Sequence, residues 1–324
     1  MNYRFIRGDK LYQEYCEKPV IASHRLRMHY TIENLKRNGY DVDYLKDNDD
    51  ENTTYIIGTT TGNEISKLKQ KNFIYDMCDN EFLYEGNRQQ VSLHYCIHSK
   101  AITVCSEYLY KIVKNVLNQL NLQKPVYIIE DYLNFSSHKP HFEPKDVLNI
   151  LWYGDTFNFQ YADWKNLVFD PLNNSDIKYN FKFMSNKMIV PHGSTNFEVL
   201  MNDPYNMNFH KQKVLESDII LLCIDEKHPA VVTKSFNKLS DGLILGRPVF
   251  ASPQPSYLEF SDYAFIGNNF VDNLHYALKN PSEVIERVKR GQQYINDEYS
   301  DEKITSKWIE TITRTCFNEK EIIL

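Results

Sequence analysis

The chain has 324 residues, 42% of them hydrophobic and 25% charged, with a formal net charge of -6; that is about two globular domains of roughly 100–200 residues each. The acidic balance argues against a broad basic face for nucleic acid, and no apolar run approaches the roughly 18 residues of a membrane span. The N-terminus M-N-Y-R-F-I-R-G-D-K lacks the apolar stretch of a signal peptide, and the cysteines at 16, 78, 96, 105, 223 and 316 form no C-x-x-C pair. Reduced thiols in a cytoplasmic protein are expected, with a peripheral membrane association left open.

In chain order, residues 3–7 predict a short strand, and residues 24–38 a helix with Met28, Ile32 and Leu35 on one face and Gly39 as its cap. Strands follow at 40–45, 53–60, 72–77 and 101–105, with a short helix ending at 67–70. Ser106 then caps the clearest helix, whose Leu109, Ile112, Val113, Val116, Leu117 and Leu120 recur at helical spacing. A strand at 126–131 closes the first half. The stretch 134–147, N-F-S-S-H-K-P-H-F-E-P-K-D-V, has no apolar period and reads as a linker. Beyond it, strands at 147–155, 177–184, 218–225 and 262–267 alternate with helices near 210–217, 235–245 and 270–279. The last 35 or so residues are helical and amphipathic. Alternating strand and helix predicts an α/β fold of two Rossmann-like domains with parallel sheets, 1–133 and 148–300, with 301–324 returning to the first.

The most informative stretch is 233–252, T-K-S-F-N-K-L-S-D-G-L-I-L-G-R-P-V-F-A-S. Lys234, Ser235, Asn237 and Lys238 crowd the opening of an apolar helix whose Phe236, Leu239 and Leu243 face inward, and Gly246 ends it before a buried strand. Cations at a helix N-terminus oppose the helix dipole, and a bound phosphate or diphosphate reverses the sign of that cost. The competing reading is a solvated helix end with two surface lysines.

K-S-x-N-K, an apolar helix and then G-R-P-V-F-A-S resemble the donor-binding segment of GT-B glycosyltransferases, particularly those of family four. S-H-R-L-R (23–27), F-I-Y-D-M-C-D (73–79), A-I-T-V-C-S-E-Y-L (101–109), I-I-E-D-Y-L (128–133) and V-L-E-S-D-I-I-L-L (214–222) fall where that family has its first loop, later strands, domain exit and pre-donor strand. The resemblance implies two domains facing across a cleft and transfer of a sugar from a nucleotide donor, a UDP-sugar favoured, to a hydroxyl of a glycan precursor, with no metal or other cofactor. Two departures stand out. Thr233 and Asp241 occupy the positions of the family's glutamate pair, so only the second acid is kept, as a ribose ligand, and W-Y-G-D-T-F-N-F-Q lacks the usual Arg/Lys pair.

On this reading Lys234, Ser235, Asn237, Lys238, Asp241, Gly154, His192 and Asp225 bind the donor. Arg25 meets the diphosphate or an anionic acceptor, Asp76 or Asp79 orients or deprotonates the acceptor hydroxyl, and Ser23 and Arg27 lie on the acceptor side. Simpler roles stand beside these: solvent-facing arginines, a cap or turn for Asp76 and Asp79, a turn for Asp225 and Glu226, a loop histidine at 192. His94 and His98 are spaced i, i+4 like zinc ligands, but no third ligand accompanies them, and a structural pair is expected. No G-x-S-x-G, Walker A or G-x-G-x-x-G pattern is present. Three alternatives remain: a phage-type enzyme glycosylating a modified DNA base, a nucleotide-sugar epimerase, and a nucleotide-binding relative without turnover.

Overall fold

The structure, a computed structural model, describes residues 2–6, 22–44, 53–58, 72–190 and 197–316. The chain divides into two compact units. Unit 1 comprises Met1–Tyr132, Thr233–Ser235 and Tyr299–Leu324, and unit 2 comprises Leu133–Val232 and Phe236–Glu298. The helices of eight or more residues are α1 (Tyr30–Arg37), α2 (Asn87–His98), α3 (Glu107–Gln119), α4 (Met207–Glu216), α5 (Asn237–Ile244), α6 (Phe270–Lys279), α7 (Pro281–Glu298) and α8 (Asp301–Cys316) among the described residues. None of the described helices is long and apolar enough to cross a membrane.

Unit 1 is built on β1 (Asn2–Ile6), β2 (Asp41–Tyr44), β3 (Thr53–Ile57), β4 (Phe73–Met77), β5 (Ala101–Val104) and β6 (Val126–Ile128), all parallel, in the order β2-β1-β3-β4-β5-β6. Every residue of β3, β4 and β5 is buried, as in a parallel sheet covered on both faces. Ser106 caps α3 by accepting from the Leu109 amide at 3.2 Å, and Leu109, Val113 and Leu117 form its buried stripe. α8 packs in this unit. Trp308 meets Phe5 edge-on at 6.0 Å, the Tyr132 and Thr305 hydroxyls are 3.0 Å apart, and Lys307 pairs with Glu130.

Unit 2 carries β7 (Leu148–Tyr153), β8 (Tyr179–Ser185), β9 (Phe197–Met201), β10 (Ile219–Leu222), β11 (Val249–Ala251) and β12 (Phe265–Ile266), also parallel, in the order β12-β11-β10-β7-β8-β9. The chain winds outward from β7 to β9 and then returns to β10 on the other side of β7. This leaves a topological switch point between β7 and β10, where open α/β sheets bind ligands at the carboxyl ends of the strands. Below it Trp152, Trp164, Phe169, Phe181 and Phe183 form an aromatic core with neighbouring centroids 4.6–6.3 Å apart.

Two boundaries differ from expectation. The stretch 134–147, read from the sequence as a linker, lies within unit 2. His138 N donates to Ile244 O (2.8 Å), His141 N to Gly246 O (2.9 Å), and Gln292 Nε2 to His138 O (2.7 Å). Backbone pairing of that kind needs no apolar period, which is why the sequence read as a linker. Gly246 is part of the same contact: its φ is +77°, and a Cβ there would stand 2.4 Å from Lys139 O. It ends α5 in the left-handed conformation that glycine adopts without strain. α5 itself begins at Asn237, with Phe236 as its N-cap, two residues later than the serine at 235 suggested.

Candidate functional site

α5 follows β10, and Gly154 follows β7, so both stand at the switch point of unit 2. Leu239, Leu243 and Ile244 bury one face of the helix, and Phe236 packs on Phe260 with centroids 5.1 Å apart. The N-terminus of α5 is unusual. Phe236 offers no side-chain acceptor, and no acid lies in the first turn, so the positive end of the helix is not neutralised from within. Lys238, one position inside, adds a second positive charge.

Lys238 is held from two directions. The Tyr153 hydroxyl donates to its backbone oxygen at 2.6 Å, and its Nζ lies 5.2 Å from the centroid of the Trp152 ring. Burial, and after it the charge of Asp241, pushes Tyr153 well above the usual tyrosine range, so the hydroxyl keeps the proton it donates at any working pH. A Cβ on Gly154 would stand 2.5 Å from Lys238 Nζ and 3.1 Å from Trp152 Cζ2 and Cη2. The glycine therefore leaves the space that the ammonium and the indole share.

Asp241 lies on the buried side of α5. Asn134 Nδ2 donates to both of its carboxylate oxygens at 3.1 Å, and His210 Nε2 is 3.9 Å away. The His210 ring meets Tyr153 edge-on at 4.5 Å. A shallow cleft of about 760 Å³ opens nearby, between the loops that follow β7, β10 and β12, and is lined by Tyr161, Asp163, Asp225, Glu226, His228 and Asn268. Asp225 turns the chain there by accepting from the Lys227 amide at 3.0 Å. Asn268 donates to Glu226 at 3.3 Å, and Tyr161 stacks on His228 with centroids 4.0 Å apart.

The remaining candidates fall in unit 1. Arg27 is buried, and its guanidinium donates to Asp76 (2.5–3.1 Å), to Ile129 O (2.5 Å) and to Asp131 (3.1 Å). Asp76 also accepts from Thr103 Oγ1 at 2.6 Å. Burial pulls the arginine's pKa down, but Asp76 and Asp131 more than reverse it and hold it well above the usual value. Arg27, expected on the acceptor side, is 2% exposed, and its guanidinium donates to two buried acids and to Ile129 O. Arg25 is buried in the π-helical turn Arg25–His29, with Ser23 half-buried just before it. Lys234 pairs with Asp79, and Thr233 O accepts from Ser106 Oγ at 2.9 Å. Burial alone would lower the Lys234 pKa, but Asp79 holds it above the usual lysine value. Ser235 and Asn237 are half-buried, and His192 lies outside the described residues. The His94 and His98 rings are 4.3 Å apart and tilted; no group of three or more potential metal ligands forms among the described residues.

The sequence itself matches no protein-family model and no curated protein. Solved structures do match in fold. HepE of Anabaena, solved with UDP-glucose, has a TM-score of 0.58 at 9% identity over 96% of this chain and 99% of its own. TarM has a TM-score of 0.58 at 12% identity, over 89% of this chain and 58% of its own. The pneumococcal O-GlcNAc transferase GtfA, solved with UDP and GlcNAc, has a TM-score of 0.56 at 9% identity, over 83% of this chain and 58% of its own. The chain has a GT-B-like fold. It spans about 58% of the length of TarM and of GtfA.

Three groups of this site carried no sequence signal. Trp152 meets Lys238 and Asn134 meets Asp241, 107 positions on, while His210 lies beside Asp241 and Tyr153, and only the strand-ending W-Y-G of β7 marked the region at all.

Proposed function

We propose that the protein is a glycosyltransferase that moves a sugar from a UDP-sugar to a hydroxyl of a saccharide acceptor. One observation carries the reading: the N-terminus of α5 has no internal cap, and the Lys238 ammonium is seated beside it over Gly154, at the switch point of a parallel sheet. Backbone N–H groups and one lysine are what a departing nucleoside diphosphate requires, because negative charge grows on it as the glycosidic bond breaks. HepE and GtfA, which share the fold, were solved with UDP, and this supports UDP as the diphosphate.

Asp241, steadied by Asn134, is the ribose ligand in this reading, and Asp225 with its neighbours in the cleft accepts from sugar hydroxyls. Asn237 shares the diphosphate with Lys238. Asp79 and Arg25 serve the acceptor side, whereas Asp76 and Arg27 hold the architecture of unit 1. Support for a saccharide acceptor comes from a TarM variant solved with fondaparinux, α-GlcNAc-glycerol and UDP; nothing comparable favours DNA.

Calorimetric titration of wild type and Lys238→Ala with UDP tests the proposal. The expected result is micromolar-range binding weakened by roughly tenfold or more in the variant, the worth of one charged contact to a phosphate. Equal affinity in the two proteins would overturn it. Release of UDP from UDP-glucose or UDP-GlcNAc in the presence of saccharide acceptors then identifies the sugar.

A further inference from the structure

We propose that Trp152 and Gly154 are positioning residues that fix the Lys238 ammonium where the donor diphosphate binds. The proposal rests on the donor-site reading above and adds how the lysine is placed.

A lysine side chain has four rotatable carbons and carries about 2 kcal/mol of rotamer entropy, so a free one is a poor fixed charge. Lys238 is different in this structure. Its main chain is anchored by the Tyr153 hydroxyl at 2.6 Å, and its Nζ lies 5.2 Å from the Trp152 centroid, within the roughly 6 Å over which an indole face attracts a cation. Trp152 cannot move away in turn. It is buried, with Phe159, Trp164 and Phe183 around it at centroid distances of 5.7–5.9 Å. The indole is thus a rigid platform, and the ammonium rests on it only because residue 154 has no side chain: a Cβ would stand 2.5 Å from Nζ. No positive φ is recorded for Gly154, so an alanine fits its backbone and acts through the space it fills.

Three residues from two elements therefore set one charge. Trp152 and Gly154 supply the seat from the end of β7, and Lys238 supplies the cation from α5.

The test is a double-mutant cycle on UDP and uridine affinity, read by calorimetry with Gly154→Ala, Lys238→Ala and the double variant. Gly154→Ala is expected to weaken UDP by roughly fivefold to tenfold, the range of one partly desolvated cation–π contact, and to leave uridine unchanged. In the Lys238→Ala background, Gly154→Ala should change UDP affinity less than about twofold, since the two act through one group. Trp152→Phe, which keeps an aromatic face, should retain most of the affinity that Trp152→Leu loses. Additive effects of the two substitutions, or equal losses for uridine and UDP, would overturn the positioning role while leaving the donor site intact. If Lys238→Ala alone leaves UDP affinity unchanged, the donor-site reading falls, and this proposal with it.

Discussion

Replacing Arg27 by methionine separates architecture from catalysis in unit 1. The guanidinium sits between Asp76 and Asp131, which are 2% and 6% exposed, and it also satisfies Ile129 O. Methionine fills much of the volume but removes the guanidinium with which both buried carboxylates pair. Removing one partner of a buried ion pair costs about 3–5 kcal/mol, and the lost hydrogen bond to Ile129 O lies within that figure, so about 4 kcal/mol is expected. Domains have only about 5–15 kcal/mol to lose. Hydrogen exchange is the assay of choice, because a chain of two units need not unfold in one step. Amides of β4 and β5 that exchange only through opening of the unit should lose about three decades of protection at 1.4 kcal/mol per decade, while those of β7 and β8 keep theirs. Unchanged protection in β4 and β5 together with abolished transfer would refute this account and return Arg27 to the acceptor site.

Other outcomes follow from the same geometry. Gly246→Ala places a Cβ 2.4 Å from Lys139 O at a φ of +77°; left-handed strain of about 1–2 kcal/mol plus the backbone clash should lower the melting temperature of unit 2, and an unshifted melt would show that 138–141 can retreat freely. Lys234→Met removes a pair that is about one-third exposed on each side, so a loss below about 1 kcal/mol is expected. Because Asp79 raises the lysine's folded pKa above its unfolded value, that contribution is complete below the ordinary lysine pKa and fades only as pH rises through the folded value; urea midpoints for wild type and variant should differ by a constant amount from pH 6 to 9. Among the four cysteines whose side chains are described, burial pushes Cys96 and Cys223 up to about 12 and Cys105 well above the usual thiol range. Of these four, iodoacetamide at pH 8 should therefore label half-buried Cys78 first, and rapid native labelling of Cys96, which peptide mass analysis would detect, would contradict the burial argument.

What could be read from the sequence was what depends on near neighbours. The spacing of Leu109, Val113 and Leu117 placed α3 almost to the residue, and the short apolar runs placed β3, β4, β5, β7 and β10, because a buried parallel strand needs only its own side chains to be apolar. β9 went unpredicted: F-E-V-L-M lies at the sheet edge with two residues exposed and three half-buried, so neither alternation nor a closed apolar run marks it. The site divided along the same line. Lys238 and Asp241 could be suspected from the motif around α5 and Gly154 from the end of β7, but the contacts of all three come from far along the chain. Arg27 and Asp76 are 49 positions apart, Lys238 and Tyr153 85, Asn134 and Asp241 107. The first of these pairs converts a residue that looks available into one that is committed, and the other two fix groups around α5. Arg27 could be read as an anion ligand or a solvent-facing arginine, and it pairs with acids 49 and 104 positions along the chain. Lys238 looked equivalent to Lys234, yet one ammonium is bound to Asp79 and the other rests on an indole. Two lysines four residues apart on the same stretch are thus sorted by the neighbours the fold delivers, Asp79 for Lys234 and the Trp152 indole for Lys238.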